Sequence, residues 1–546
     1  MRVAEAVGRT LALLGVRQVF GVTGSGNFHF TNALIDGGAT FTAARHEMGA
    51  ACMADAWSRS TGEVSAVSVH QGCGLTNALT GVVEAAKSRT PVLVLSGDTP
   101  ASNRTSNFWI DQSTAVRALG VEVERVHSAA TCVEDAVRAF RLARDERRTV
   151  LLNMALDVQE QEVEWSEESV PAIAPRMVPG PSPDAVTALA DLLAGAERPV
   201  LVGGRGALGA RAEIEQLADR VGALLTTSAV GRGIFHGSPW YLDVMGGFST
   251  PTTAQLIQDA DVVVAFGAGL NRWTTRGGKL LAGARVVQVD LSAEAIGFHR
   301  SVEFGVVGDS ALVAEAVGRE LETRGTRSRG YRTEDVARKI RDGSDWVDVP
   351  FEEISSEDTV DPRSLTIALN EMLPRERVVV PDGGNFNGYP AMFLQVPDAR
   401  GYCLPLAFQS IGLALASAVG ASLANPDRLT VAGVGDGGFM MSLVELDTAV
   451  RLGLPLVVVV YDDHAYGAEV HHFVHENASM ETVEFPDKDI AAVARGFGCT
   501  ALTVRRLEDL EGVRDWLEGD RDTPLVVDAK ISSFPSWVLA HTFDDE

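Results

Sequence analysis

Cysteine is scarce in this chain of 546 residues: Cys52, Cys73, Cys132, Cys403 and Cys499 are scattered and odd in number. That pattern excludes a disulfide framework, and the absence of any Cys-x-x-Cys pair removes the commonest zinc site. No uninterrupted apolar run reaches about 18 residues, the length a membrane helix needs, so no membrane partner is expected. Met1-Arg2-Val3-Ala4-Glu5 lacks a signal-peptide pattern, and a cytoplasmic location is the resulting expectation. Positive charge is also in deficit, with 47 Lys and Arg against 73 Asp and Glu and a formal net charge of -26. A chain of that sign repels nucleic acid and anionic membranes at long range, so neither is expected as a partner. An anionic substrate is not excluded, because a metal, an arginine or a helix start can reverse the field inside a pocket.

What is present is the composition of a globular protein, 46% hydrophobic and 22% charged. The length is too great for one hydrophobic core and fits three domains. Residues 1–170 alternate helical patterns with β-rich runs at 64–69, 92–95 and 149–153, the arrangement of a helix-covered parallel sheet. Prolines at 171, 175, 179, 181 and 183 mark a linker. A second unit over 184–335 carries Val200-Leu201-Val202-Gly203-Gly204, Val262-Val263-Val264-Ala265-Phe266-Gly267 and Val286-Val287-Gln288-Val289-Asp290, each a buried strand ending at a turn. The polar stretch 322–357 shows little periodicity and reads as a second linker. The third unit, 362–546, has strands expected at 378–380, 429–433, 456–460 and 525–529. The predicted fold class is therefore α/β, with three consecutive doubly wound parallel-sheet domains.

The chemistry concentrates in the third unit. Residues 430–439, which include Gly435-Asp436-Gly437-Gly438, read as a strand, a turn and the start of a helix whose face carries Leu443, Leu446 and Val450. Glycines around the aspartate let a diphosphate approach the backbone, and Asp436 offers the hard oxygen that Mg²⁺ or Ca²⁺ takes. The next strand ends in Tyr461-Asp462-Asp463-His464-Ala465-Tyr466-Gly467, where Asp463 and a following backbone carbonyl, that of Ala465, could complete the protein's share of the coordination. Two solvated turns would have the same sequence.

With these two motifs the chain resembles the thiamine diphosphate enzymes of the acetolactate synthase, pyruvate decarboxylase and benzoylformate decarboxylase type. Their signature is a Gly-Asp-Gly triplet followed by Asn-Asn, and Asp462-Asp463 stands where that pair falls, replacing the ligand amide with a carboxylate. The likeness extends to Phe20-Gly21-Val22-Thr23-Gly24, His46-Glu47-Met48-Gly49-Ala50 and Gly267-Ala268-Gly269. It implies a pyrimidine-binding domain first, a central domain, and a diphosphate-binding domain last. It also implies thiamine diphosphate and Mg²⁺ as cofactors, held between the first domain of one subunit and the third of another, so that a homodimer is the least active unit and a homotetramer is expected. Flavin adenine dinucleotide is disfavoured, because Gly267-Ala268-Gly269-Leu270-Asn271-Arg272-Trp273 departs from the pattern of the flavin-bearing relatives.

The resemblance also assigns residues. Glu47 is the glutamate that hydrogen-bonds N1′ of the aminopyrimidine, although on its own it reads as an ordinary acid at a helix start. Ile411 is the bulky residue that bends the cofactor, although an isoleucine there fits a plain core. His70 matches a strand-end histidine that moves protons in the benzoylformate decarboxylase branch. Glu469 matches the second acid of the pyruvate decarboxylases, and Gln112 a glutamine presented toward the reacting groups. Gly435, Gly437, Gly438 and Tyr466 are expected at the cofactor, and one of His471 and His472 at most faces the substrate. The partner molecules implied are a small 2-oxo acid and, for a carboligase, a second carbonyl compound. Carboligation of the acetolactate synthase kind is the first expectation, simple decarboxylation to an aldehyde the second, and an inactive subunit or binding protein the third.

Overall fold

A computed structural model describes residues 1–476 and 478–542. The first six strands are β1 (Gln18–Gly21), β2 (Thr40–Ala43), β3 (Ser65–Val69), β4 (Val92–Asp98), β5 (Glu122–Val126) and β6 (Val150–Ala155). They form one sheet in the order β2-β1-β3-β4-β6-β5. The second sheet holds β7 (Pro199–Gly203), β8 (Leu224–Thr227), β9 (Tyr241–Val244), β10 (Val262–Phe266), β11 (Arg285–Asp290) and β12 (Phe304–Val307), in the order β12-β11-β10-β7-β8-β9. The third holds β13 (Arg377–Pro381), β14 (Leu429–Gly435), β15 (Leu456–Asp462), β16 (Thr500–Val504) and β17 (Leu525–Lys530), in the order β13-β14-β15-β17-β16. Every strand pairing is parallel, from β1 with β2 through to β16 with β17. Helices join the strands, so the central strands are covered on both faces and read as unbroken Val and Leu runs. The molecule is three α/β domains in series.

The runs visible in the sequence are the central strands. Edge strands such as β2 and β12, half exposed, do not stand out there because their residues form no continuous apolar run. Among the described residues no helix is long and apolar enough to cross a membrane. All five cysteines are free, and only Cys73 is exposed.

The stretch 322–357 is not the featureless linker its polarity suggests. It contains a helix, Glu334–Gly343, capped by Thr333, whose side chain accepts the Val336 N–H at 3.2 Å. Val336 and Ile340, one turn apart, bury against Leu256 and Ile257 of the central domain. Two large apolar residues in ten suffice because the remaining faces lie mostly in water.

The first and third domains share one core. The helix Glu47–Thr61 packs along the helix Ala414–Ala424 through small residues, and a Cβ on Gly420 would overlap the Met53 carbonyl. That close crossing fixes the start of the Glu47 helix relative to the third sheet.

Candidate active site

The carboxyl ends of parallel strands are where an open α/β sheet binds ligands, and in the third sheet four acids gather there. Asp382 follows β13, Asp436 follows β14, Asp462 ends β15 and Asp463 follows it. β14 runs from Gly435 directly into the helix Asp436–Ser442, with no intervening turn residue. That helix breaks at Leu443-Val444 and a second, Glu445–Arg451, follows, so the continuous face expected for Leu443, Leu446 and Val450 is divided; of the three only Leu446 is fully buried.

Asp463 tucks its carboxylate under Gly467, where a Cβ would overlap Oδ2, and takes the Ala465 N–H. The Asp436 carboxyl is pushed up to about 7, by burial first and then by the charges of Asp462 and Asp463. Asp463 is likewise pushed up to about 7, chiefly by burial, with the Asp462 charge adding to it. Crowded, part-buried carboxylates of this kind are what a divalent cation relieves, and oxygen donors suit Mg²⁺ or Ca²⁺. Ala465 lies in an irregular bridge whose bonds, Tyr466 N–H to Val483 O at 2.8 Å and Phe485 N–H to His464 O at 2.7 Å, pass on either side of it. The ladder therefore leaves the Ala465 carbonyl itself unused.

Asp436, Gly437, Met440, Asp462, His464, Tyr466, Phe485 and Lys488 line a cavity of about 210 Å³ over this cluster. The Tyr466 ring covers Gly437, where a Cβ would overlap its edge, and stacks edge-on against Phe485 with centroids 5.0 Å apart. A Cβ on Gly438 would stand 2.6 Å from Asp382 Oδ2. Thus both glycines are required by packing, and thiamine diphosphate with its cation fits the donor set and the open floor of the cavity.

A pH dependence follows. Asp436 and Asp463 would have to lose their protons to hold a cation, so if they are its ligands Mg²⁺ affinity should fall as the pH drops through 7, with protons released on binding. Folding raises both acids, so the cation-free protein loses stability as the pH rises from the unfolded value of about 4 through 7, and the cation removes that penalty. Calorimetric titrations at about pH 6 and about pH 8 read this; equal affinity at both contradicts it.

Asp382, which no motif in the sequence singled out, organises the neighbouring loop. Its carboxylate accepts the N–H groups of Gly383 at 2.9 Å, Gly412 at 2.7 Å and Leu413 at 3.2 Å. Burial raises it to about 6, against the pull of these donors. Gly412 has φ +82°, a left-handed conformation that turns its N–H toward the acid. Ile411 is thereby held beside Gly383, where a Cβ would lie 3.3 Å from its Cγ2. Asp382→Ala should cost about 2–4 kcal/mol, because three buried N–H groups lose their acceptor; a denaturation midpoint equal to that of the unaltered protein would contradict it.

Glu47 is the first residue of its helix, capped by His46, whose Nδ1 accepts the Met48 N–H at 3.1 Å. Glu445 of the third domain accepts the N–H groups of Arg45 and His46 at 3.2 and 3.0 Å, and Asp447 pairs with Arg45 at 2.5 Å. The Glu47 carboxylate receives Asn77 Nδ2 at 3.1 Å. Gly74 lies between Glu47 and His70: a Cβ on it would be 3.5 Å from Glu47 Oε1 and 3.2 Å from the His70 Cβ. His70 Nδ1 is 3.0 Å from Gln71 O and Nε2 is 3.3 Å from Ser25 Oγ. A carbonyl only accepts, so Nδ1 carries the proton in that contact and Nε2 is left to accept from Ser25.

Gln112 is placed differently from expectation. It is buried, with Oε1 accepting the Gly72 N–H at 2.7 Å and Nε2 donating to Gly97 O at 3.0 Å and Asn153 Oδ1 at 2.8 Å. Its amide is committed to the turn that follows His70 rather than presented to a substrate. Glu469 is exposed on the helix Gly467–Phe473. Of the two histidines after it, His471 turns inward, with burial lowering its basicity, while His472 stays exposed.

The single chain does not join the two halves. The cavity around Asp436 has no lining residue from the first domain, whereas Glu47, His70 and Ser25 gather at the carboxyl edge of the first sheet. Asp382 shares the strand-end-plus-glycine signal of Asp436, in Pro381-Asp382-Gly383-Gly384, and could have been found by it. Glu445 and Ser25 carry no comparable local signal.

Three family descriptions match the chain. They are "Thiamine pyrophosphate enzyme, N-terminal TPP binding domain" over residues 1–116, the central domain over 186–317 and the C-terminal TPP binding domain over 382–529. Among curated relatives, the sulfoacetaldehyde acetyltransferase of Castellaniella defragrans is 28% identical, covering 96% of this chain and 92% of its own. The acetolactate synthase large subunit of Parasynechococcus marenigrum is 27% identical, covering 97% and 87%. A probable acetolactate synthase large subunit of Methanocaldococcus jannaschii is also 27% identical, covering 86% and 81%.

Proposed function

Because this chain belongs to the thiamine pyrophosphate enzymes of the acetolactate synthase and pyruvate decarboxylase family, we propose that it decarboxylates a 2-oxo acid and joins the remaining fragment to a second carbonyl compound. The observation that carries this reading is the crowding of Asp436 with Asp462 and Asp463 at the carboxyl edge of the third sheet, beside a cavity that Asp436 and Asp462 line, in a chain similar along its length to relatives named for acetyl transfer and for acetolactate synthesis. Thiamine diphosphate supplies, when bound, a carbon nucleophile for the 2-oxo acid and a sink for the electron pair left by carbon dioxide.

The residues divide the remaining work. Asp436, Asp463 and the Ala465 carbonyl would hold Mg²⁺, and Gly435, Gly437, Gly438 and Tyr466 would shape the diphosphate bed. Ile411, fixed through Asp382, would set the bend of the cofactor. Glu47 would hydrogen-bond the aminopyrimidine and govern its proton, while Gln112 acts only by holding the turn after His70. Since Glu47 lies apart from its own chain's cavity, a second copy supplies the other half of each site. We therefore propose a cytoplasmic homodimer at least, and a homotetramer as the working form. Flavin is left out for the departure at 267–273; flavin absorbance in the purified protein would reverse that.

A second reading, release of an aldehyde, is favoured by one specific observation. His70 Nε2, free to accept, faces Ser25 Oγ beside Glu47, so the imidazole could take up a proton there and return it to a carbon product. Glu469 could assist from the third domain. Incubation with a panel of 2-oxo acids, Mg²⁺ and thiamine diphosphate, followed by mass spectrometry, separates the readings. A ligated 2-hydroxy ketone supports the first, aldehyde and carbon dioxide in equal amounts support the second, and no turnover of any acid supports an inactive subunit.

A further inference from the structure

Asp462 and Lys530 are register partners at the carboxyl ends of β15 and β17, and both are 2% exposed. The three donors of the Lys530 ammonium are all used: on Asp462 Oδ2 at 2.5 Å, Asp487 Oδ1 at 2.8 Å and Lys488 O at 2.8 Å. Asp528 Oδ1 lies beside them at 3.3 Å. Two of these partners, Asp462 and Lys488, line the cavity over Asp436, so one buried ammonium ties the floor of the cavity to its wall.

The other oxygen of Asp462 is occupied as well. Oδ1 accepts the His464 N–H at 3.1 Å and stands 2.8 Å from His464 Nδ1. Asp462 is thus held by cationic and N–H donors. Asp436 and Asp463 make no ion pair with a lysine or arginine among the described residues, and they are left for a cation. The distinction matters because the resembling enzymes have two amides where this chain has Asp462-Asp463. Two added negative charges at a site that must also admit a diphosphate would repel it, and Lys530 cancels one of them.

We propose that Lys530 is a positioning residue of the cofactor site: it holds Asp462 out of the cation's coordination shell and anchors the Asp487-Lys488 wall, leaving Asp436 and Asp463 as the carboxylate ligands. This rests on the cofactor reading above. Lys530 touches neither cation nor cofactor and acts through Asp462. A buried carboxylate deprived of its counter-charge is costly unless another cation compensates it, and a metal held by Asp436 and Asp463 would do so in addition to His464, whose Nδ1 stands 2.8 Å from Asp462 Oδ1. Loss of Lys530 therefore has effects of opposite sign, a tighter hold on the bare cation and a weaker hold on the diphosphate.

The test is calorimetric titration of full-length K530M, D462N and K530M/D462N, first with Mn²⁺ alone and then with thiamine diphosphate at fixed Mg²⁺. In K530M the thiamine diphosphate dissociation constant should rise about tenfold or more while Mn²⁺ alone binds at least as tightly. In K530M/D462N, whose amide needs no counter-charge, thiamine diphosphate affinity should return to within about threefold of the unaltered protein. A general loss of structure would weaken both ligands and would not be repaired by D462N. Unchanged thiamine diphosphate binding by K530M, or no recovery in the double variant, overturns the proposal. If K530M does not fold, the double variant carries the test against D462N, and a tenfold deficit there overturns it. Failure of the unaltered protein to bind thiamine diphosphate at all refutes the cofactor reading itself, a result distinct from each of these.

Discussion

Glu47→Gln should leave the fold and the oligomer intact and reduce exchange of the C2 proton of bound thiamine diphosphate by about 10²–10⁴-fold, the usual worth of a positioned acid–base group. The substitution is nearly isosteric, and the contact made by Asn77 Nδ2 with Oε2 at 3.1 Å can be kept by the carbonyl oxygen of glutamine. The helix start is held independently, by His46 and by Glu445 accepting the Arg45 and His46 N–H groups. What glutamine cannot do is exchange a proton with the aminopyrimidine. Deuterium exchange followed by acid quench and NMR reads the step before any substrate is added. Exchange at the unaltered rate in a variant that still binds cofactor would remove Glu47 from its proposed role.

Asp436→Ala should weaken Mg²⁺-dependent binding of thiamine diphosphate by about 100-fold or more, since the cation loses a charged ligand at the centre of the site. The same change should not destabilise the cation-free protein. Asp436 is raised to about 7 by burial and by Asp462 and Asp463, so at neutral pH its ionised form is a source of strain rather than of stability. Lower affinity with an equal or higher melting temperature in chelator is therefore the expected pair of results. A fall in melting temperature with unchanged affinity would mean that Asp436 is structural.

Much of the fold is legible in the sequence because parallel strands buried on both faces leave apolar runs such as Leu456-Val457-Val458-Val459-Val460. The helix Glu334–Gly343 is hidden there because only Val336 and Ile340 face inward. In the site, Asp436 and Asp463 are legible because glycines and strand ends flank them locally. Asp382 shares that local signal, whereas Glu445 and Lys530 act on partners about 400 and 68 positions away, and no short motif records such pairings. Gln112 shows the converse: its place in the chain resembles that of a substrate-facing glutamine, but Gly72, Gly97 and Asn153, brought together only by folding, engage its oxygen and both of its N–H donors.

The most direct test is titration of correctly folded, cofactor-free protein with thiamine diphosphate in the presence and absence of Mg²⁺. Saturable binding that requires the metal and is reversed by chelator is the expected result. No saturable binding under either condition would contradict the assignment of Asp436 and Asp463 to a shared cation and a diphosphate.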